Sequence, residues 1–230
     1  MARRAFSRWG ACARPSATAL HWLGEHFSGG TPAPTARPLF PSGFVCPVPD
    51  PAQLDRVVQY LVAQRGLAHR LLVPLLQANS LYADQRANAV FLLRDPQGRP
   101  VGAELRGTTA RPWRGMAPGS HKDLGFFAVP STPEPTLILC ESAIDALSCL
   151  ALHPQSRCLS TAGARPNPRW LPALLGQAQQ IYCGFDADPT GNAMARALIS
   201  LYPTVQRLRP SLKDWNDMLR SSGYSKCATA

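Results

Sequence analysis

The sequence predicts an α/β fold: a parallel sheet with helices on both faces over residues 131–230, preceded by a small α+β region over 51–130. Three observations predict it. First, apolar runs at 136–140, 157–160, 179–185 and 204–208 alternate with helix-period segments at 142–153, 168–175, 191–201 and 214–220. Such alternation implies parallel strands joined by right-handed crossovers. Second, the runs end on acids, Glu141 after the first and Asp186 with Asp188 after the third. Third, Asp188 before Pro189-Thr190-Gly191 and Asp214 before Trp215 are both in the position of a helix N-cap.

The acids carry the chemistry. A carboxylate between a strand and the following helix lies at the carboxyl edge of the sheet, where open α/β sheets bind ligands. Glu141, Asp186 and Asp188 should therefore converge there. Carboxylates so clustered repel unless a hard cation sits among them, and an oxygen-only ligand set suits Mg²⁺ or Mn²⁺. A third acidic phrase, Lys213-Asp214-Trp215-Asn216-Asp217, follows the last strand. Trp215 reads as core rather than as a base-stacking platform.

Glu141-Ser142-Ala143-Ile144-Asp145, Phe185-Asp186-Ala187-Asp188-Pro189-Thr190-Gly191 and Lys213-Asp214-Trp215-Asn216-Asp217 resemble, in order, the motifs of the toprim domain. That module is shared by bacterial-type primases, topoisomerases and some nucleases. The resemblance covers roughly residues 136–220, with Ser142 where the family often has Gly. It implies metal-dependent phosphoryl or nucleotidyl transfer. Asp186 and Asp188 would hold one or two cations, and Glu141 would share a metal or act as general base. Asp214 and Asp217 would add outer-sphere or second-metal contacts, Lys213 would hold a phosphate, and Asp145 would support the site.

The region before it extends the resemblance. Asp50 or Pro51 starts a helix carrying Leu54, Val57, Val58 and Leu61 on one face, ended by Gly66, and a second helix spans about 68–77. Residues 89–94 and 101–106 read as strands joined by the turn Asp95-Pro96-Gln97-Gly98-Arg99. This hairpin, with Ser120-His121-Lys122-Asp123-Leu124-Gly125-Phe126-Phe127, is similar to the subdomain ahead of toprim in primases, in the variant found in plasmid and integrative-element proteins. By position, Arg106 and Lys122 match its basic residues. The implied partners are single-stranded DNA and nucleotides, with a replicative helicase or relaxase beside them, in the cytoplasm. A toprim nuclease and a non-catalytic nucleic-acid-binding remnant of a larger primase are the alternatives.

Residues 1–50 are weakly specified. Residues 29–38 read as a Pro/Gly-rich linker, and 17–27 could form one amphipathic helix. Arg3, Arg4, Arg8 and Arg14, with no acid before Glu25, also fit an organelle transit peptide. Trp22-Leu23-Gly24-Glu25-His26-Phe27-Ser28-Gly29-Gly30 resembles the tail of a primase zinc-binding domain, yet no zinc-ligand set precedes it, so no zinc is expected. A truncated chain, a decayed one and a start farther upstream all fit.

Composition bounds the rest. Eight of the ten net positive charges lie before residue 131, so a basic region stands beside an acidic site, as a polyanionic substrate requires. The competing explanation is an arginine-rich composition set by a GC-rich genome. Seven cysteines form no Cys-x-x-Cys pair. Cys140, Cys149, Cys158 and Cys183 fall in apolar patterns and read as buried thiols in a reducing compartment. No apolar run reaches the roughly 18 residues that a membrane span needs, and no Gly-x-x-x-x-Gly-Lys-Ser/Thr phosphate loop occurs.

Overall fold

Asp50 caps the first described helical segment: its carboxylate accepts the Ala52 N–H at 3.0 Å. The structure, a computed structural model, describes residues 43–110, 113–130 and 133–223. The helix, linker and zinc-domain phrase expected before residue 43 lie outside them. A 3-10 turn (Pro51–Gln53) leads into α1 (Leu54–Gln59), which widens into a π-turn (Tyr60–Gln64). The expected apolar face points inward at Val57 and Leu61. Gly66, at φ +69°, ends the segment as expected, because that left-handed conformation is strained for residues with a Cβ. Helix α2 (His69–Gln77) follows.

Four antiparallel strands come next, in spatial order β1 (Leu81–Ala83), β2 (Asn88–Arg94), β3 (Pro100–Gly107) and β4 (Arg114–Met116). The expected hairpin is β2–β3, with Phe91 opposite Glu104 and Ala89 opposite Arg106. Its turn is held by Asp95, which accepts the Gln97 and Arg99 N–H groups at 3.0 and 2.8 Å. Strands β1 and β4 are additions to the sequence reading. Three residues each are too few to show a period, and pairing to β2 and β3 creates them.

The second sheet has five strands in the order β5 (Phe127–Val129), β7 (Ser156–Ser160), β6 (Thr136–Cys140), β8 (Gln180–Cys183) and β9 (Val205–Arg207). The four expected strands are parallel to one another, and β5 adds an antiparallel edge beside β7. Between the parallel strands run α3 (Ala143–Leu152), α4 (Leu171–Leu175) and α5 (Pro189–Leu201), and α6 (Trp215–Ser221) follows β9. Each sits at its expected place, with ends shifted by up to three residues.

The two sheets are joined where Arg94 and Phe126 exchange backbone hydrogen bonds of 2.9 and 3.0 Å. One buried cluster runs from Val57 and Leu61 through Phe91 and Phe127 to Ile144, Trp215 and Leu219, so the residues before and within the parallel sheet share a core. Phe91 and Phe127 meet edge to face at 5.4 Å. The other face of the parallel sheet buries Leu139, Phe185, Trp170 and Leu198. Trp215 is core, as expected, 1% exposed with its indole N–H on the Gly184 carbonyl at 2.6 Å. Cys140, Cys149, Cys158 and Cys183 are buried and free. No helix among the described residues is long and apolar enough to cross a membrane.

Truncating Phe91 removes the ring that bridges the sheets. Phe91→Ala should destabilise the protein by about 3–5 kcal/mol. Urea unfolding followed by far-UV circular dichroism and by tryptophan fluorescence should move together, because one core serves both sheets.

Candidate functional site

Strands β6 and β8 are neighbours, with Leu139 opposite Cys183, so the residues after them leave the same edge side by side. Glu141 follows β6 directly. Its Oε1 accepts the Asp186 N–H at 3.0 Å, bringing together two motifs 45 residues apart in sequence. Asp188 caps α5, accepting the Gly191 N–H at 2.7 Å, with Pro189 at the first helical position. Gly191 is required by close packing: a Cβ there would lie 2.4 Å from the Asp186 carbonyl oxygen and 2.7 Å from Glu141 Oε1. Asp214 caps α6 through the Asp217 N–H at 2.7 Å.

Asp145 belongs to the same cluster. It is 7% exposed, and its Oδ2 accepts the Ser142 hydroxyl at 2.5 Å. Asp217 faces elsewhere, 3.7 Å from Arg220. Lys213 places its backbone carbonyl on the Ala187 N–H at 2.8 Å, while its side chain is exposed.

Crowding shows in the acid constants. Burial pushes the Asp186 carboxyl up to about 8, with further contributions from the charges of Asp145, Glu141, Asp214 and Asp188. Burial raises Asp145 to about 7, Asp214 adding to it, against the Ser142 hydroxyl, the Asn216 N–H and Arg106. Burial also raises Glu141, as Asp188 does, while the Asp186 N–H, Arg114 and Arg207 pull it down. These are the two classical causes, desolvation and like charge, acting together.

The donor set fits a hard divalent cation. Asp186 Oδ1 is buried with no hydrogen-bond partner, and its neighbours are further carboxylates. Among the described residues, no three His, Cys, Asp or Glu side chains already stand in ligand geometry around one point.

The basic residues reach the same place. A cavity of about 300 Å³ is lined by Arg106, Arg114 and Lys122 together with Glu141, Asp145 and Asp186. Lys122 Nζ stands 4.0 Å from the Cβ position of Gly163, in the small-residue turn after β7. Arg114 was not among the expected residues. It pairs across β3–β4 with Arg106, and the strand carrying it is too short to be legible.

Arg207 also escaped the sequence reading. Its guanidinium donates to the carbonyls of Cys183, Phe185 and Asp186 at 2.9, 2.8 and 3.1 Å and to Asn192 Oδ1 at 3.0 Å. It thereby holds the turn that carries the Asp pair. The available signal is its position at the carboxyl end of the strand beside β8. Asn216 ties α6 to the Arg65 carbonyl and the Ser148 hydroxyl at 2.7 and 3.0 Å.

Comparison with known proteins agrees with this geometry. Residues 138–219 match the family described as Toprim-like. The chain carries a toprim-like domain. Residues 59–132, ahead of it, match a family described as protein of unknown function (DUF3991). Three solved structures share the fold. The DnaG catalytic core has a TM-score of 0.54 at 16% identity, covering 75% of this chain and 72% of that one. The DnaG primase catalytic domain bound to ssDNA has 0.53 at 19%, covering 76% and 70%. The primase fragment of the bacteriophage T7 primase-helicase protein has 0.55 at 20%, covering 71% and 70%. A 65 kDa protein of Zymomonas mobilis subsp. mobilis is 32% identical over 61% of this chain, which spans 28% of that relative's length.

The raised acid constant of Asp186 sets a pH dependence. Folded protein keeps the proton to about 8, whereas the unfolded chain releases it near 3.8, so the proton's stabilisation is complete below 3.8 and is lost as pH rises to about 8. In EDTA, Asp186→Asn should gain melting temperature relative to wild type as pH rises across that window, because wild type alone loses the Asp186 contribution. Thermal melts at a series of pH values check this.

Proposed function

We propose that this toprim-like chain is a Mg²⁺-dependent, primase-like nucleotidyltransferase that acts on single-stranded DNA, in the replication or transfer of a mobile element. The observation that carries the reading is the single cavity in which Arg106, Arg114 and Lys122 face Glu141, Asp145 and Asp186. Acids that need a cation and bases that suit phosphates, in the lining of one cavity, match a nucleotide or a nucleic-acid backbone. The shared fold with primase catalytic domains, one of them bound to ssDNA, supports the choice of substrate.

The division of labour follows from the site. Asp186 and Asp188 would hold the cation with Glu141 beside them, and Asp214 would add an outer contact. When bound, the cation neutralises the carboxylates and stabilises charge developing on the transferring phosphoryl group. Arg106, Arg114 and Lys122 would hold phosphates in the cavity, and Lys213, exposed beside Asp214, would take a further one. Glu141, at the strand end beside Asp186, is the group to accept the proton of the attacking hydroxyl. Asp145, buried and bonded to Ser142, keeps the first turn of α3 in place behind it.

Two experiments test this. Asp186→Ala and Asp188→Ala should each abolish Mg²⁺-dependent primer synthesis on a single-stranded template, without loss of the folded state. Nicking in the absence of nucleotides would replace the primase reading with a nuclease. Activity and Mg²⁺ binding that persist in both variants would move the site elsewhere.

The second experiment reads the basic wall. Arg106→Ala, Arg114→Ala and Lys122→Ala should each flatten the log–log salt dependence of single-strand binding by about 0.7. Arg99, paired with Asp95 at 2.7 Å in the β2–β3 turn, is the control and should leave the slope unchanged. Equal slopes for all four variants would mean that the cavity's basic wall is not where the strand lies.

A further inference from the structure

Glu104 is an acid on the basic wall. It lies on β3 two residues before Arg106, so strand alternation puts the two side chains on one face. Its Oε2 accepts the Ala143 N–H at 3.1 Å, and its Oε1 accepts the Ser160 hydroxyl. Ala143 opens α3 two residues after Glu141, and Ser160 closes β7. The Ser160 hydroxyl in turn accepts the Ala162 N–H at 3.0 Å, in the turn that faces Lys122. One carboxylate from the antiparallel sheet therefore fastens two adjacent strand-end loops of the parallel sheet.

A carboxylate is a poor filler for such a contact. Taking it out of water is unfavourable, and an apolar side chain would pack as well. What the carboxylate adds is direction: two acceptor oxygens aimed at two donors on different loops. Burial pushes its acid constant up, while Ser160, the Ala143 N–H, Arg106 and Lys122 pull it down. The Glu104 side chain thus lies on a short path from the metal-binding acids to the phosphate-binding bases. The path runs from Glu141 to Ala143, across to Glu104, and along β3 to Arg106.

We propose that Glu104 is a positioning residue that couples the two walls of the cavity, so that a divalent cation and a single strand strengthen each other's binding. The proposal rests on the functional reading above. A cation held at Asp186, whose N–H is bonded to Glu141, would move Glu141 and with it the first turn of α3, and the Ala143 N–H would carry that shift to β3. Coupling between two ligands is reciprocal, so either one can be used to read it.

The test uses the full chain, Mn²⁺ and oligo(dT). Mn²⁺ binding without oligonucleotide is measured by calorimetry. Oligonucleotide binding is measured by fluorescence anisotropy, in EDTA and in saturating Mn²⁺. In wild type, Mn²⁺ should tighten oligonucleotide binding by about fivefold or more. Glu104→Gln should leave Mn²⁺ affinity close to wild type, tighten oligonucleotide binding in EDTA modestly by removing a negative charge beside Arg106 and Lys122, and erase the Mn²⁺ enhancement, and Glu104→Asp should restore part of it.

Retention of the enhancement in Glu104→Gln overturns the proposal, as does loss of Mn²⁺ binding measured alone. Should Glu104→Gln lose its cooperative melt, Ser160→Ala, which removes one of the two donors, takes its place, and the enhancement should again be lost. If both lose the melt, Glu104 is a stability element and the proposal falls. Wild type that binds oligonucleotide without any Mn²⁺ enhancement sinks this proposal alone. Wild type that binds no oligonucleotide in either buffer sinks the nucleic-acid reading beneath it.

Discussion

Burial of carboxylates beside one another, Asp186 and Asp145 foremost, with Glu141, Asp188 and Asp214 adding like charge, is the constraint around which the carboxyl edge of the parallel sheet is arranged. Each acid is placed by a bond to backbone or hydroxyl: Glu141 by the Asp186 N–H, Asp188 by the Gly191 N–H, Asp214 by the Asp217 N–H and Asp145 by Ser142. Those bonds fix the groups but do not neutralise them. Asp186 Oδ1 keeps no partner at all. Charge balance must come from protons, from a cation or from the arginines nearby, and the raised acid constants of Asp186 and Asp145 are the proton's answer.

The basic groups are placed by a different device. Arg207 sits beside the acids and spends its donors on backbone carbonyls, so it stiffens the Asp186 turn while contributing positive charge. Arg106 and Arg114 arrive on the other sheet, one strand apart, and reach the acids only because the two sheets share a core. The Arg94–Phe126 bridge and the Phe91–Phe127 contact set the approach of the sheets. Glu104 adds hydrogen bonds from β3 to the start of α3 and the end of β7.

Much of this was legible in the chain. The four parallel strands and the helices between them follow from apolar periodicity, and Asp188 and Asp214 as caps follow from their place before Pro-Thr-Gly and Trp215. Strands β1, β4 and β5 were not legible. Three residues carry no period, and backbone pairing to a longer neighbour makes them strands. Glu104 and Arg207 were missed for a related reason. Each sits in an ordinary strand pattern, where a charge reads as a solvent-facing position, and only the neighbouring loops give it partners.

The sequence by itself determined the parallel α/β sheet, the acids at its strand ends and the excess of positive charge before residue 131. These are local or compositional properties, readable one segment at a time. The tertiary structure decided which acids meet. Strand order puts β6 beside β8, which joins Glu141 to Asp186, while Asp217, one helical turn past Asp214, turns to Arg220 instead. It also decided that the basic hairpin faces the acids across one cavity, since the contacts that place it join residues 39 and 56 positions apart, a separation at which local sequence carries no signal.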